Sequence, residues 1–199
     1  MKNFLRIILK HFFSFLETIV YRPKIVGIEN IPKEDAIIIC PNHVHALDSA
    51  IIVAKFKRKV NVLAKEELFK NGFIRFIADV FGVYPVKPDK KSMETVKISL
   101  KILKNKEVLM LFPEAARQGM AKGIKPKDGA IKLSIRSGVP IVPVGIQGNF
   151  KPFTKVKINI GKPIDYSKYT KEDTNNRQLM EKLTQELLAE DVRLRDEKI

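Results

Sequence analysis

The run Ala36-Ile37-Ile38-Ile39-Cys40 is apolar without interruption, rich in isoleucine, and ended by Pro41. A half-buried strand alternates apolar and polar residues; a short continuous run of β-branched residues marks a strand covered on both faces. Strands of that kind belong to sheets with helices above and below, and the rest of the chain alternates to match. Strand-like segments fall at 24–28, 60–64, 82–86, 107–112, 141–146 and 156–160. Helical periodicity falls at about 47–55, 65–68, 73–80, 90–104 (with Ser92 as its cap), 130–137 and 175–189. The pattern predicts an α/β fold: a single domain with a central, largely parallel or mixed β-sheet flanked by helices. Pro85 places its strand at an edge or the proline at a strand terminus, and Pro143 places its strand at an edge or a bulge, because proline cannot donate to a ladder. Residues 119–129 form a basic, glycine-bearing loop, and the charged stretch from Glu190 is expected to be solvated.

Two of these strands end alike. The first runs into Pro41 and then Asn42-His43-Val44-His45-Ala46-Leu47-Asp48; the second, Leu111-Phe112, runs into Pro113-Glu114-Ala115-Ala116-Arg117. In an open α/β sheet, ligands bind at the carboxyl ends of the strands. Both turns would therefore deliver His43, Asp48, Glu114 and Arg117 to one rim. Residues five apart do not share a helix face, so His43 and Asp48 meet only if the histidine lies in the loop and the aspartate near the start of the next helix. Asp48 would then fix the imidazole tautomer, leaving the other ring nitrogen to take a proton from a hydroxyl. No serine is placed as nucleophile. The spacing alone fits a plain capped helix, with Asn42 or Asp48 on the end amides, at least as well.

Composition narrows the partners. The 199 residues suffice for one core, and 37 Lys+Arg against 22 Asp+Glu give a formal net charge of +15. That excess suits an anionic bilayer or a phosphate-bearing substrate. Tryptophan is absent and the four tyrosines are not interleaved with basic residues, which argues against nucleic acid. The single cysteine, Cys40, excludes an intrachain disulfide and fits a reducing compartment. The three histidines are not set with carboxylates at ligand spacing, so no metal site is expected.

The first 22 residues are expected to form an amphipathic, membrane-associating helix ahead of a domain spanning 23–199. Phe4, Leu5, Ile8, Leu9, Phe12, Phe13, Phe15, Leu16 and Ile19 recur at helical spacing opposite Asn3, Arg6, Lys10, Ser14 and Glu17. Lys10 and His11 keep the run short of the roughly 18–20 apolar residues of a spanning helix. A helix lying in the headgroup region and one packed on the protein's own core both fit.

Four blocks in order resemble the glycerolipid acyltransferases, most closely the bacterial 1-acylglycerol-3-phosphate (lysophosphatidic acid) acyltransferases. Asn42, His43 and Asp48 match an Asn-His-x4-Asp block. Lys65, Glu67 and Leu68, then Gly82 to Lys87, approximate a second. Phe112, Pro113, Glu114 and Arg117 match a Phe-Pro-Glu-Gly-Thr-Arg block, and Val139 to Val144 match Val-Pro-Ile-Val-Pro-Val without change. Here Ala115-Ala116 replaces Gly-Thr, Lys87 stands for an arginine, and His45 takes a position that is often serine.

The resemblance implies transfer of a fatty acyl group from acyl-CoA or acyl carrier protein to a lysophospholipid hydroxyl. His43 would be the general base and Asp48 its orienter. Arg117, Lys65 and Lys87 would hold the acceptor phosphate. Glu114 would be a positioning residue, on Arg117 or a glycerol hydroxyl. Neither cofactor nor metal is implied, and the expected location is the cytoplasmic face of the membrane, peripheral or monotopic. Other glycerol or lysolipid acceptors, a thioester hydrolase, and a basic membrane-binding module without catalysis are the alternatives.

Overall fold

The computed structural model describes residues 2–197 except 46, 87–92, 115 and 120. Seven strands form one mixed sheet: β1 (Lys24–Val26), β2 (Ile37–Pro41), β3 (Val60–Lys65), β4 (Val83–Val86), β5 (Val108–Met110), β6 (Ile141–Gln147) and β7 (Lys157–Ile160). Their order is β1-β7-β6-β2-β5-β3-β4. Only the β6–β7 pairing is antiparallel. The helices are α1 (Lys2–Tyr21), α2 (Asp48–Lys55), α3 (Gly72–Phe81), α4 (Met93–Lys104), α5 (Gly129–Ser137) and α6 (Arg177–Asp196).

The isoleucine run explains the layering. Ile37 and Ile39 join one core with Ile51, Ile52 and Phe56 around α2. Ile38 and Cys40 point the other way, into a core with Ile102 of α4, Ile131 of α5 and Leu183 of α6. All five residues of β2 are buried. A fully buried isoleucine contributes about 1.5–3 kcal/mol, so the alternation fixes the register of β2 from both faces.

Two expectations are corrected. Pro143 sits in an interior strand, between β7 and β2. Its carbonyl accepts from Gly161 N–H on the β7 side. The β6–β7 pairing begins only at Val144↔Ile160, so the missing N–H falls beyond the ladder and no bond is lost. The charged end from Glu190 is not simply solvated either: α6 runs on to Asp196 and buries Asp191 and Leu194. It packs so closely that a Cβ on Gly145 would lie 2.1 Å from Arg195 N. The cap expected at Ser92 lies outside the described residues.

Candidate active site

β2, β5, β3 and β4 are parallel, so their carboxyl ends share one rim. β2 and β5 are neighbours, and the turns after them touch. The backbone N–H of His43 donates to Glu114 Oε1 at 3.1 Å, Gln118 N–H donates to the His43 carbonyl at 2.6 Å, and the His43 ring stacks on Phe112 at 4.0 Å between centroids. The turn after β5 folds back on itself: a Cβ on Gly119 would meet the Glu114 carbonyl at 2.2 Å, so only glycine allows this approach.

Asp48 opens α2 and is buried. Its Oδ2 accepts three hydrogen bonds, from His43 Nδ1 (2.9 Å), Val44 N–H (2.7 Å) and His45 N–H (2.8 Å). The loop therefore wraps around one carboxylate oxygen. The amides that Asp48 satisfies belong to the loop and not to the end of α2, which has no side-chain cap, so the carboxylate grips the imidazole and braces the loop rather than capping the helix. With Nδ1–H committed to Asp48, the free ring nitrogen is Nε2, and its lone pair can accept a proton. Asp48 Oδ1 is buried without a hydrogen-bond partner.

Asn42 caps nothing. Its amide bridges to β6, with Nδ2 donating to the Ile146 carbonyl (3.0 Å) and Oδ1 accepting from Ile146 N–H (2.6 Å). This double bond ties the root of the His43 loop to the neighbouring strand. Beneath it lies Asp191, fully buried. Val144 N–H donates to its Oδ1 at 3.3 Å, while Oδ2 has no partner. Burial pushes this carboxyl well above the usual range; the Val144 bond opposes the shift, and the nearby Glu114 and Glu190 add to it. Burial likewise raises the Cys40 thiol, with Asp191 adding to the effect.

The structure thus brings together His43, Asp48 and Glu114. Glu114 is buried and one of its oxygens accepts from the His43 backbone N–H. Arg117 is exposed, and its guanidinium has no partner among the described residues. Lys65 ends β3 on the same rim, but its side chain lies outside the description, as does all of Lys87. Sequence reasoning missed Gln118, whose contribution is a backbone amide, and Phe150, which stacks on the His45 ring at 4.7 Å. It also missed Asp191, although Leu187, Leu188 and Leu194 at helical spacing put that position on the buried face of α6. Among the described residues no cluster of His, Cys, Asp or Glu is placed to hold a metal.

Residues 22–147 match the family model described as Acyltransferase. The chain belongs to the acyltransferase family. The chain is 29% identical over 135 residues to the 1-acyl-sn-glycerol-3-phosphate acyltransferase of Borreliella burgdorferi, covering 66% of the chain and 53% of that protein. It therefore spans about half the length of that relative. It is 27% identical over 148 residues to the Bacillus subtilis protein of the same name, covering 71% of the chain and 73% of that protein. In fold it is similar to the crystal structure of the 1-acyl-sn-glycerophosphate (LPA) acyltransferase PlsC from Thermotoga maritima. The TM-score is 0.60 and the identity 21%, over 95% of this chain and 98% of that one.

Proposed function

We propose that the protein transfers a fatty acyl group from an acyl thioester to the free hydroxyl of 1-acylglycerol-3-phosphate, giving phosphatidic acid. The observation that carries this reading is the His43 imidazole held by Asp48 Oδ2 at 2.9 Å on the sheet's carboxyl rim, in a chain whose relatives are named for that reaction. The acceptor hydroxyl gives its proton to His43 Nε2 as its oxygen bonds to the thioester carbonyl carbon. The carbon–sulfur bond then breaks, and the departing thiolate takes the proton back from the imidazolium. General-base help of this kind is worth about 10²–10⁴ in rate; the rest comes from alignment. The steps use no cofactor or metal. Arg117, exposed and without a partner for its guanidinium among the described residues, receives the acceptor phosphate, together with Lys65 and Lys87.

The acceptor reaches this rim from a bilayer. No helix among the described residues is long and apolar enough to cross a membrane, yet α1 carries its apolar side outward. Phe4, Ile7, Ile8, Phe12, Phe15 and Ile19 are exposed. Polar bonds tie the helix to the protein: Lys55 Nζ of α2 donates to the Ser14 carbonyl, Ser14 Oγ and Thr18 Oγ1. That arrangement favours an interfacial helix over one packed on the core.

The test is thiol release from acyl-CoA and from acyl carrier protein, each with and without lysophosphatidic acid, with phosphatidic acid followed by mass spectrometry. Release that depends on the acceptor is expected. Release independent of the acceptor would make the protein a thioester hydrolase, and no release from either donor would leave a binding module.

A further inference from the structure

The loop between β6 and β7 holds two phenylalanines with opposite fates. Phe150 turns inward, buried against the His45 ring and 6.0 Å from Tyr21 between centroids. Phe153, three residues on, is 67% exposed. Both have positive φ, 55° and 64°, a region that bulky residues rarely occupy. The loop is held in this form. Thr154 Oγ1 and Lys151 N–H both donate to Asn149 Oδ1. Phe153 N–H donates to the Val20 carbonyl and Val156 N–H to that of Tyr21. The Phe153 backbone is thereby fixed at the end of α1, the helix whose apolar side is exposed.

The chain on either side of these bonds is basic. Arg22 and Lys24 follow α1, and Lys151, Lys155 and Lys157 lie in or next to the loop; no acidic residue occurs in 18–28 or 147–157. Alongside runs an open cleft of about 410 Å3 lined by Gln147, Gly148, Asn149, Thr154, Lys155 and Lys157. Neither of its lysines has a carboxylate partner among the described residues.

We propose that this loop is a second bilayer contact: Phe153 inserts among the acyl chains, and the Lys155–Lys157 cleft takes the phosphate of an anionic phospholipid headgroup. An exposed apolar tip in a basic stretch of chain, hydrogen-bonded to the end of an outward apolar helix, fits an anionic membrane surface better than a protein partner. Because Phe150 of the same loop stacks on His45, two residues from His43, the contact holds the catalytic rim against the leaflet that carries the acceptor. The inference rests on the membrane reading of α1.

The test uses the full chain, which contains no tryptophan, so Phe153→Trp introduces a lone indole. On vesicles of phosphatidylcholine with phosphatidylglycerol its emission should shift to the blue and be quenched by bromine on the lipid chains. Lys155→Ala with Lys157→Ala should weaken binding to those vesicles by about 30-fold, near 5-fold per lysine, and leave binding to pure phosphatidylcholine unchanged. Co-sedimentation with an emission still at its value in water would overturn the loop contact and leave the α1 reading standing. Unchanged affinity of the lysine variant would overturn the headgroup cleft. Failure of the unaltered protein to bind vesicles would overturn both readings.

Discussion

Asp48→Asn tests how the catalytic loop is built. One oxygen, Oδ2, accepts from His43 Nδ1, Val44 N–H and His45 N–H at 2.7–2.9 Å. The new amide can keep its oxygen there, or turn its NH2 toward three donors and lose all three bonds. Each neutral hydrogen bond is worth about 0.5–1.5 kcal/mol, so the two backbone amides alone hold the oxygen inward by about 1–3 kcal/mol. The tautomer of His43 is then kept, and what the substitution removes is the charge facing the imidazolium. At an effective dielectric of about 20, unit charges about 4 Å apart attract by about 4 kcal/mol. With the charge partly developed in the transition state, a loss of about 2–4 kcal/mol follows, or roughly 30- to 1,000-fold in kcat. Triads whose asparagine imposes the wrong tautomer lose about 10⁴-fold. Steady-state kinetics of Asp48→Asn beside His43→Ala, with circular dichroism on both, decides the matter. His43→Ala should abolish transfer. If Asp48→Asn fell to the same floor, backbone locking of the tautomer would be refuted; if it kept near-full turnover, so would the pairing of base and orienter.

Three further outcomes are expected. Arg117→Ala should lower kcat/KM for a phosphate-bearing acceptor about 10- to 150-fold, the worth of one charged hydrogen bond, with the donor KM little changed; kinetics varying each substrate in turn would show it, and a defect confined to the donor would move Arg117 to the thioester side. Asp191, whose folded carboxyl is raised by burial, binds its proton more tightly folded than unfolded, so stability falls as pH rises from about 4, its unfolded value, towards the raised one. Urea unfolding of Asp191→Asn should show a flatter profile over that range, and an unchanged profile would show the carboxyl is not shifted. Lys55→Ala, which removes three bonds to α1, should speed hydrogen exchange across α1 while the sheet stays protected; equal protection would mean α1 is held by other contacts.

The sheet was legible because β2 declares itself: an isoleucine run buried on both faces leaves few architectures open. His43 and Asp48 were legible as a pair by spacing, which also required the histidine in the loop and the aspartate at a helix start. What lay beyond reading was everything set by partners distant in sequence. Glu114 reads as a positioning residue, on Arg117 or a glycerol hydroxyl, and nothing in the sequence announces its bond from a backbone amide 71 residues away. Pro143 reads as an edge marker because the point where β7 stops pairing is not written in β6. Asp191 sits at helical spacing from Leu187, Leu188 and Leu194, which marks its face of α6 as buried; what the spacing does not give is Val144, the distant partner of its carboxyl.

The place of β2 in the sheet also bears on how the chain is made. Its lateral partners are β5 and β6, and Asn42 reaches its bonding partner Ile146 across 104 residues. During synthesis an apolar strand therefore emerges with both edges unpaired and waits for most of the domain to follow. Open apolar edges of this kind are templates for wrong pairing, and distant strand contacts form slowly. The catalytic loop, rooted on that strand, takes shape only when the sheet closes around it, so a nascent chain is sticky well before it is active.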